Sequence, residues 1–354
     1  MFSEYRLPAK VCASLAQATG NTPLVALRNS VADLNKGEVG LNVQVFAKIE
    51  YMNPMGSVKD RIARHIIKKA IKEGKLKPGD TIVENSSGNT AMGLAMMAIA
   101  GGFKCKMVVR SSTSKEKLDC LRAVGVDLVL VDGSLPPEHP ESYNKKARLL
   151  AKELDNAFFP DQHNNRDNNE AHYMTTGPEI WDQMDGKIDY LVAGIGTGGT
   201  ICGASKFLKE QDPKIKVIAV DPVGSVFYSY FKSGKCSIPA PCLLEGLGDE
   251  EIIGCPDFEL IDDIIQVGDK ESFFATRELA KTEAILAGGS SGAALLGVRK
   301  LVESLKQSSE ISNAKRIASQ DGEPLRIVTI FPDSGSRYLS TIYNDQWMKQ
   351  KGFM

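Results

Sequence analysis

A lysine that follows a turn is the first candidate catalytic residue in this sequence. Lys59 follows the turn residues Pro54 and Gly56, and Ser57 and Asp60 resemble the capping pair that opens a helix. The helix macrodipole disfavours a positive charge in the first turn, so we expect the pKa of Lys59 to be lowered. A neutral amine is the form that Schiff-base chemistry requires. These residues alone leave open the alternative of an ordinary surface lysine.

A glycine-rich segment is the second candidate. Residues 194–200 read Gly-Ile-Gly-Thr-Gly-Gly-Thr and lie between a predicted strand (189–193) and a predicted helix (201–210). Backbone N–H groups and hydroxyls at such a junction suit a phosphate group. The segment lacks the Gly-Lys-Ser/Thr ending of a nucleoside-triphosphate loop. Asp221, about twenty residues further on, leaves a dinucleotide site open as the alternative.

Four motifs occur together in the order typical of one enzyme family. They are residues 53–61 (Asn-Pro-Met-Gly-Ser-Val-Lys-Asp-Arg), 86–90 (Ser-Ser-Gly-Asn-Thr), 194–200 and 289–293 (Gly-Ser-Ser-Gly-Ala). The set resembles the cystathionine β-synthase and cysteine synthase family, from residues 19–24 to the end of the chain. The cystathionine β-synthase branch is the closer one. The segments that resemble that branch are 161–162, 170–173, 175–180, 245–248 and 345–353.

The resemblance implies an α/β protein of the tryptophan-synthase-β-like fold, fold type II. Two domains with mostly parallel, twisted sheets flanked by helices would hold pyridoxal 5′-phosphate in the cleft between them. Residues 1–158 would form the N-terminal domain, with the Schiff-base lysine and the substrate loop, and its N-terminal segment is a candidate to pack on the other domain. Residues 159–354 would form the C-terminal domain, with the phosphate loop. Alternating predicted strands and helices, including a helix over 272–286, independently indicate parallel sheets.

The resemblance also implies which residues bind the cofactor. Lys59 would hold it covalently and then act as the base for the α-proton. Asn89 would face the ring hydroxyl oxygen, and Ser290, with Ser291 as the alternative, would bind the pyridine nitrogen. A neutral hydroxyl there makes the ring a weaker electron sink, which favours β-elimination and addition over transamination. The full set is Lys59, Asn89, Gly196, Thr197, Gly198, Gly199, Thr200, Gly246 and Ser290.

A third group of residues is expected to bind the substrates. The set is Ser86, Ser87, Gly88, Asn89, Thr90, Gln162 and Asp249. The first five open a helix and would grip the substrate carboxylate with Gln162, although a generic helix cap is the alternative for Ser86 and Ser87. Asp249 stands where animal cystathionine β-synthases carry a tyrosine. It could bind the amino group of the second substrate or could simply be solvated. Asn85 replaces the proline that is usual in the family.

Composition favours a cytoplasmic metabolic enzyme. The 354 residues carry 43 basic and 44 acidic side chains, so no broad attraction to nucleic acid or to a membrane is expected. The seven cysteines contain no Cys-x-x-Cys pair, which argues against a zinc site or a disulfide framework, and no metal site is predicted. No signal peptide and no apolar run of membrane-spanning length is evident. The resemblance implies a homodimer.

These inferences predict a pyridoxal-phosphate-dependent β-replacement enzyme. It would eliminate the β-substituent of serine or an O-activated serine and add a thiol, with homocysteine giving cystathionine. The alternative is a cysteine synthase that uses O-acetylserine and sulfide. A diaminopropionate-type synthase and a catalytically idle family member are weaker alternatives.

Overall fold

The computed structural model describes residues 11–36, 41–135, 139–307 and 323–354. Contacts between residues divide the chain into two compact units. The first unit contains Met1–Gly20 and Met52–Ala171, and the second contains Asn21–Tyr51 and His172–Met354.

Strands and helices alternate along most of the described chain. The strands are β1 (Leu24–Leu27), β2 (Val43–Ile49), β3 (Thr81–Asn85), β4 (Lys104–Arg110), β5 (Asp127–Val131), β6 (Ala157–Phe158), β7 (Tyr190–Gly194), β8 (Lys216–Pro222), β9 (Asp263–Val267) and β10 (Leu325–Phe331). The α-helices are α1 (Lys59–Lys72), α2 (Asn89–Gly101), α3 (Lys115–Ala123), α4 (Tyr143–Glu153), α5 (Asp167–Met174), α6 (Thr176–Gln183), α7 (Gly199–Gln211), α8 (Phe227–Ser233), α9 (Asp269–Thr282), α10 (Gly289–Gln307) and α11 (Asp345–Gln350). Short 3₁₀ helices span Leu15–Ala18, Ala32–Asn35, Glu50–Met52, Phe258–Leu260 and Gly335–Tyr338.

A four-stranded parallel sheet forms the centre of the first unit, in the order β5-β4-β3-β6. α1 directs one apolar face to the core, because Ile62, Ile66 and Ile67 recur at helical spacing and are buried. α2 is apolar on most of its surface and is buried from residue 90 to residue 98. Such a helix belongs in the interior of its unit.

A six-stranded sheet forms the centre of the second unit, in the order β1-β2-β10-β7-β8-β9. β1 is antiparallel to β2, and the other neighbours are parallel. β2 and β10 pair along their whole lengths, which places residues 21–51 in this unit. α11 also belongs to it, since Met348 is fully buried and the ring centroids of Trp347 and Phe353 lie 5.9 and 5.6 Å from that of Phe273.

The α/β fold with mostly parallel sheets and flanking helices is confirmed. The two compact units differ from the expected division in two places, because residues 159–171 group with the first unit and Asn21–Tyr51 group with the second. Hydrogen bonds tie residues 159–171 to the first unit, since Lys69 Nζ donates to Asp167 and Glu170 at 2.6 and 2.5 Å.

The expected helix over 272–286 instead spans Asp269–Thr282. Ala284 has a left-handed φ of +56°, and the Glu283 carboxylate accepts backbone N–H bonds from Arg28 and Ser30 at 3.0 and 2.7 Å. The chain therefore leaves the helical path just after Thr282.

Candidate active site

Lys59 is the first residue of α1 and is half-buried. The backbone N–H of Lys59 donates to the Ser57 hydroxyl at 3.3 Å, and Ser57 is fully buried. Asp60 Oδ2 accepts the backbone N–H of Met55 at 2.6 Å. The Asp60 backbone N–H also donates to the Ser57 carbonyl at 3.3 Å. The two polar residues therefore do fix the turn before the helix, and the Asp60 carboxylate does so through the Met55 N–H.

A close helix contact holds the start of α1 against α2. A Cβ at Gly93 would lie 3.1 Å from both the Lys59 carbonyl oxygen and Ala63 Cβ. Gly93 is one turn after Asn89, the first residue of α2, so the Lys59 turn and the 86–90 segment are neighbours within the first unit. This contact was not predicted from the sequence, where a glycine inside an apolar helix was the available signal.

The 86–90 segment joins β3 to α2. The buried Ser86 hydroxyl accepts the backbone N–H groups of Gly88 and Ala91 at 3.4 and 3.3 Å, so it shapes the turn as a helix cap does. A Cβ at Gly88 would meet no heavy atom within 4 Å, and Ser87, Gly88 and Asn89 are half-buried. The segment thus presents its backbone to open space at a helix N-terminus, where an anion is favoured.

Gln162 lies beside this segment, as the resemblance implies. The Thr90 hydroxyl donates to Gln162 Oε1 at 2.5 Å, and both side chains are buried. The Gln162 backbone N–H donates to Glu84 Oε2 at 3.1 Å, and its carbonyl accepts from Asn168 Nδ2 at 2.8 Å. Three separate hydrogen bonds therefore fix Gln162 within the first unit.

In the second unit, the glycine-rich segment 194–200 joins β7 to α7 as predicted. A Cβ at Gly196 would overlap the Gly246 carbonyl oxygen, and the Gly248 N–H donates to the Ile195 carbonyl at 2.8 Å. Gly198 has a φ of +80°, and a Cβ there would lie 2.7 Å from Pro256 Cα. Only glycine fits these positions, so the backbone of the segment is held close to that of residues 246–248.

A buried histidine bonds to the end of this segment. His172 is fully buried, and its Nε2 lies 3.1 Å from the Thr200 hydroxyl. Its Nδ1 lies 2.8 Å from the Thr176 hydroxyl at the start of α6. His172 therefore orients Thr200 from behind the predicted phosphate site. In the sequence, His172 stood out only as part of the family segment 170–173.

Two serines begin α10, and their surroundings differ. Ser290 keeps 6% of its surface exposed, whereas Ser291 is fully buried and its Oγ has no hydrogen-bond partner among the described residues. Close by, the Gly288 N–H donates to the Asp333 carbonyl at 3.0 Å, and the Tyr338 hydroxyl donates to Asp333 Oδ2 at 2.8 Å. Of the two hydroxyls, that of Ser290 is the more accessible to a ligand.

Asp249 bonds within its own turn. Its Oδ1 accepts the backbone N–H groups of Glu250 and Glu251 at 2.7 and 3.4 Å, and the side chain is half-buried. The Asp249 N–H donates to the Ser225 hydroxyl at 3.2 Å. Its carboxylate therefore has a local structural role, whatever else it binds.

A primary amine suits an aldehyde, and backbone N–H groups with hydroxyls suit a phosphate. The first unit offers a primary amine at Lys59, and the second offers N–H groups and hydroxyls at 196–200. A Cβ at Gly246 would meet no heavy atom within 4 Å, which leaves room for a ring beside the 194–200 segment. Within the described ranges, no group of three His, Cys, Asp or Glu residues could hold a metal ion. No helix of these ranges has the length and apolar character needed to cross a membrane.

Comparison with known proteins identifies the family. The sequence profile described as "Pyridoxal-phosphate dependent enzyme" matches residues 15–319. The chain belongs to this pyridoxal-phosphate-dependent enzyme family. The predicted cofactor and the prediction of an enzyme are thereby confirmed.

Individual members of the family resemble the chain along most of its length. A cystathionine beta-synthase of Apis mellifera is 40% identical over 98% of this chain and 64% of its own length. A cysteine synthase of Staphylococcus aureus is 43% identical over 93% of this chain and 96% of its own length. The crystal structure of a hydrogen sulfide-producing enzyme from Fusobacterium nucleatum superposes with a TM-score of 0.77 at 32% identity, covering 93% of this chain and 98% of that one. The chain thus spans less than two thirds of the bee enzyme.

Proposed function

We propose that the protein catalyses a pyridoxal-phosphate-dependent β-replacement on serine or an O-activated serine, with homocysteine as nucleophile and cystathionine as product. The C-terminal segment is the observation that favours the cystathionine β-synthase branch over the cysteine synthase branch. α11 and Phe353 belong to the core of the second unit, and this ending resembles cystathionine β-synthases. Similarity to the bee cystathionine beta-synthase extends over 345 residues, against 329 for the bacterial cysteine synthase.

The proposed binding roles are those that the family resemblance implies for these residues. The backbone and hydroxyls of residues 196–200 bind the cofactor phosphate, with Thr200 oriented by His172. Asn89 and Ser290 bind the ring, and Gly246 leaves room for it. The segment 86–90 and Gln162 bind the substrate carboxylate.

Lys59 moves the proton in the proposed reaction. Bound pyridoxal phosphate supplies the electron withdrawal that makes the Cα proton removable. The Lys59 amine takes this proton, and the β-substituent leaves with the electron pair of its bond to Cβ. The thiol gives up its proton to the departed group, which for serine makes water, and its sulfur forms the new bond to Cβ. Lys59 then returns a proton to Cα. The start of α1 is fixed by Ser57, Asp60 and the contact with Gly93, so the amine is anchored on a rigid element.

Cysteine synthase activity is the second candidate. The Staphylococcus aureus relative is covered over nearly its full length, and its reaction would need O-acetylserine and sulfide in place of serine and homocysteine. The Fusobacterium nucleatum enzyme is named for hydrogen sulfide production. Sulfide would be the leaving group if cysteine were the first substrate and homocysteine the second.

Steady-state kinetics of the holoenzyme separates these candidates. Serine, O-acetylserine and cysteine are each paired with homocysteine, and serine and O-acetylserine are also paired with sulfide. We expect the highest kcat/KM with homocysteine as nucleophile. A tenfold preference for O-acetylserine with sulfide would replace the proposal by cysteine synthase. Absence of turnover with every pair would identify an idle family member.

We also propose a homodimer that acts in the cytoplasm. All seven cysteines are free, which suits a reducing compartment. Light scattering should then give twice the chain mass of 38.4 kDa. A mass of one chain at micromolar concentration would contradict the dimer.

A further inference from the structure

Glu84 is a fully buried carboxylate one residue before the end of β3. Its Oε1 accepts the backbone N–H of Asn85 at 2.8 Å, and its Oε2 accepts that of Gln162 at 3.1 Å. The first bond is to the residue that leads directly into the 86–90 segment. The second is to the residue that contacts Thr90 from the other side. The Glu84 carboxylate therefore links the backbone at Asn85, just before the 86–90 segment, to the backbone at Gln162. Both stretches contain proposed substrate-binding groups.

We propose that Glu84 is a positioning residue for the first amino-acid substrate, because its two oxygens set the backbone of residues 86–90 and of Gln162 relative to each other. This inference rests on the proposed function of that segment as the carboxylate site. Glu84 itself does not touch the substrate.

A carboxylate suits this position better than an amide. A buried charge is costly unless it is hydrogen-bonded, and here each oxygen has a backbone donor. A glutamine would present one acceptor, and its NH₂ group would face the second backbone N–H. One of the two tethers would be lost, and a buried N–H group without a partner is unfavourable.

The charge state of Glu84 should depend on pH in the neutral range. The pKa of Glu84 is raised from 4.5 to about 7, chiefly by burial. The Asn85 and Gln162 N–H groups and His163 act to lower it, and Asp161 acts to raise it. Tyr143 on α4, whose ring carries the Arg110 guanidinium 4.9 Å from its centroid, also interacts electrostatically with Glu84. Above pH 7, both oxygens accept hydrogen bonds. Below it, one oxygen carries a proton, and one tether weakens.

The test is the Glu84→Gln holoenzyme, with binding of L-serine and L-cysteine followed by the visible absorbance of the cofactor. We expect Kd and KM of the first substrate to rise about tenfold, the equivalent of ~1.4 kcal/mol, with kcat and the KM of the thiol within threefold. The wild-type Kd should rise as pH falls through 7, and that of the variant should not.

The matched control is Asp189→Asn in the second unit. Asp189 is half-buried, accepts the Arg326 backbone N–H at 2.7 Å, and has a pKa raised by burial. Asp189 directly precedes β7, at the end of the strand opposite to the 194–200 segment. Loss of its carboxylate should therefore change the melting temperature and not the substrate Kd.

Glu84→Asp serves if the glutamine variant does not fold, because the shorter charged side chain reaches only one of the two N–H groups. A substrate Kd that is unchanged in these variants, or a wild-type Kd that does not vary from pH 6 to 8, overturns the role of Glu84 and leaves the proposed function standing. Wild-type holoenzyme that binds no amino acid overturns both.

Discussion

Replacing Gly198 with alanine should weaken cofactor binding, whereas replacing Gly234 with alanine should not. Both glycines have a left-handed φ, +80° and +70°, so both substitutions carry a similar backbone cost of about 1 kcal/mol. Their surroundings differ. A Cβ at residue 198 would lie 2.7 Å from Pro256 Cα and 2.8 Å from Pro256 N, whereas at residue 234 no heavy atom lies within 4 Å.

The size of the steric overlap at Gly198 determines how much cofactor binding should weaken. Ordinary contact begins at 3.4 Å, so the 194–200 segment or Pro256 must move by about 0.7 Å (3.4 − 2.7). Overpacking of this kind typically costs ~1–3 kcal/mol. If the phosphate segment yields, the dissociation constant of the cofactor rises about tenfold to a hundredfold.

The assay is a titration of each apoenzyme with pyridoxal phosphate, followed by visible absorbance, beside thermal melting. Gly234→Ala should lower the melting temperature and leave the dissociation constant within threefold of the wild type. Gly198→Ala should change both. Equal dissociation constants for the two variants would refute the assignment of 194–200 to the phosphate.

Three further substitutions test individual residues. Lys59→Ala should abolish turnover with an unchanged circular dichroism spectrum, because it removes the anchor and the base; turnover within tenfold of the wild type, a loss of only ~1.4 kcal/mol, would contradict this. Ser290→Asp should slow β-replacement and alter the visible spectrum of the bound cofactor, because a carboxylate favours protonation of the ring nitrogen; unchanged rates and spectra would move the assignment to Ser291 or elsewhere. Asp249→Asn should weaken homocysteine use about tenfold to a hundredfold and barely alter sulfide use, since a charge-assisted hydrogen bond contributes ~1.5–3 kcal/mol. Asparagine Oδ1 can still accept the Glu250 N–H, so the turn is kept; equal effects with both nucleophiles would remove Asp249 from the site.

Local signals in the sequence predicted the elements that carry the site. The strand predicted over 189–193 is β7 (Tyr190–Gly194), and the helix predicted over 201–210 is α7 (Gly199–Gln211), because glycines mark the turn between them. The 194–200 segment was recognisable because its glycines are close together in the chain. Gln162 beside Thr90 was foreseen only through resemblance to a family.

Contacts between distant segments could not be read from the sequence. Glu84 looked like an ordinary residue of a strand, and its bond to Gln162 spans 78 positions. The end of α9 depends on a carboxylate at residue 283 that reaches backbone N–H groups at residues 28 and 30. The partners of Glu84 and Glu283 cannot be predicted from local propensity, because tertiary packing decides which distant segments meet.

The pairing of β2 with β10 fixes an order of events during synthesis. β2 ends at Ile49, and its partner β10 begins at Leu325, so β2 must wait for 276 further residues (325 − 49). At about 5–20 residues per second, this delay is roughly 15–55 s. The sheet of the first unit is complete once β6 has emerged at residue 158, long before β10 exists. The first unit can therefore form once residue 171 has been made, whereas β2 lacks its neighbour β10 until nearly the whole chain has been synthesised.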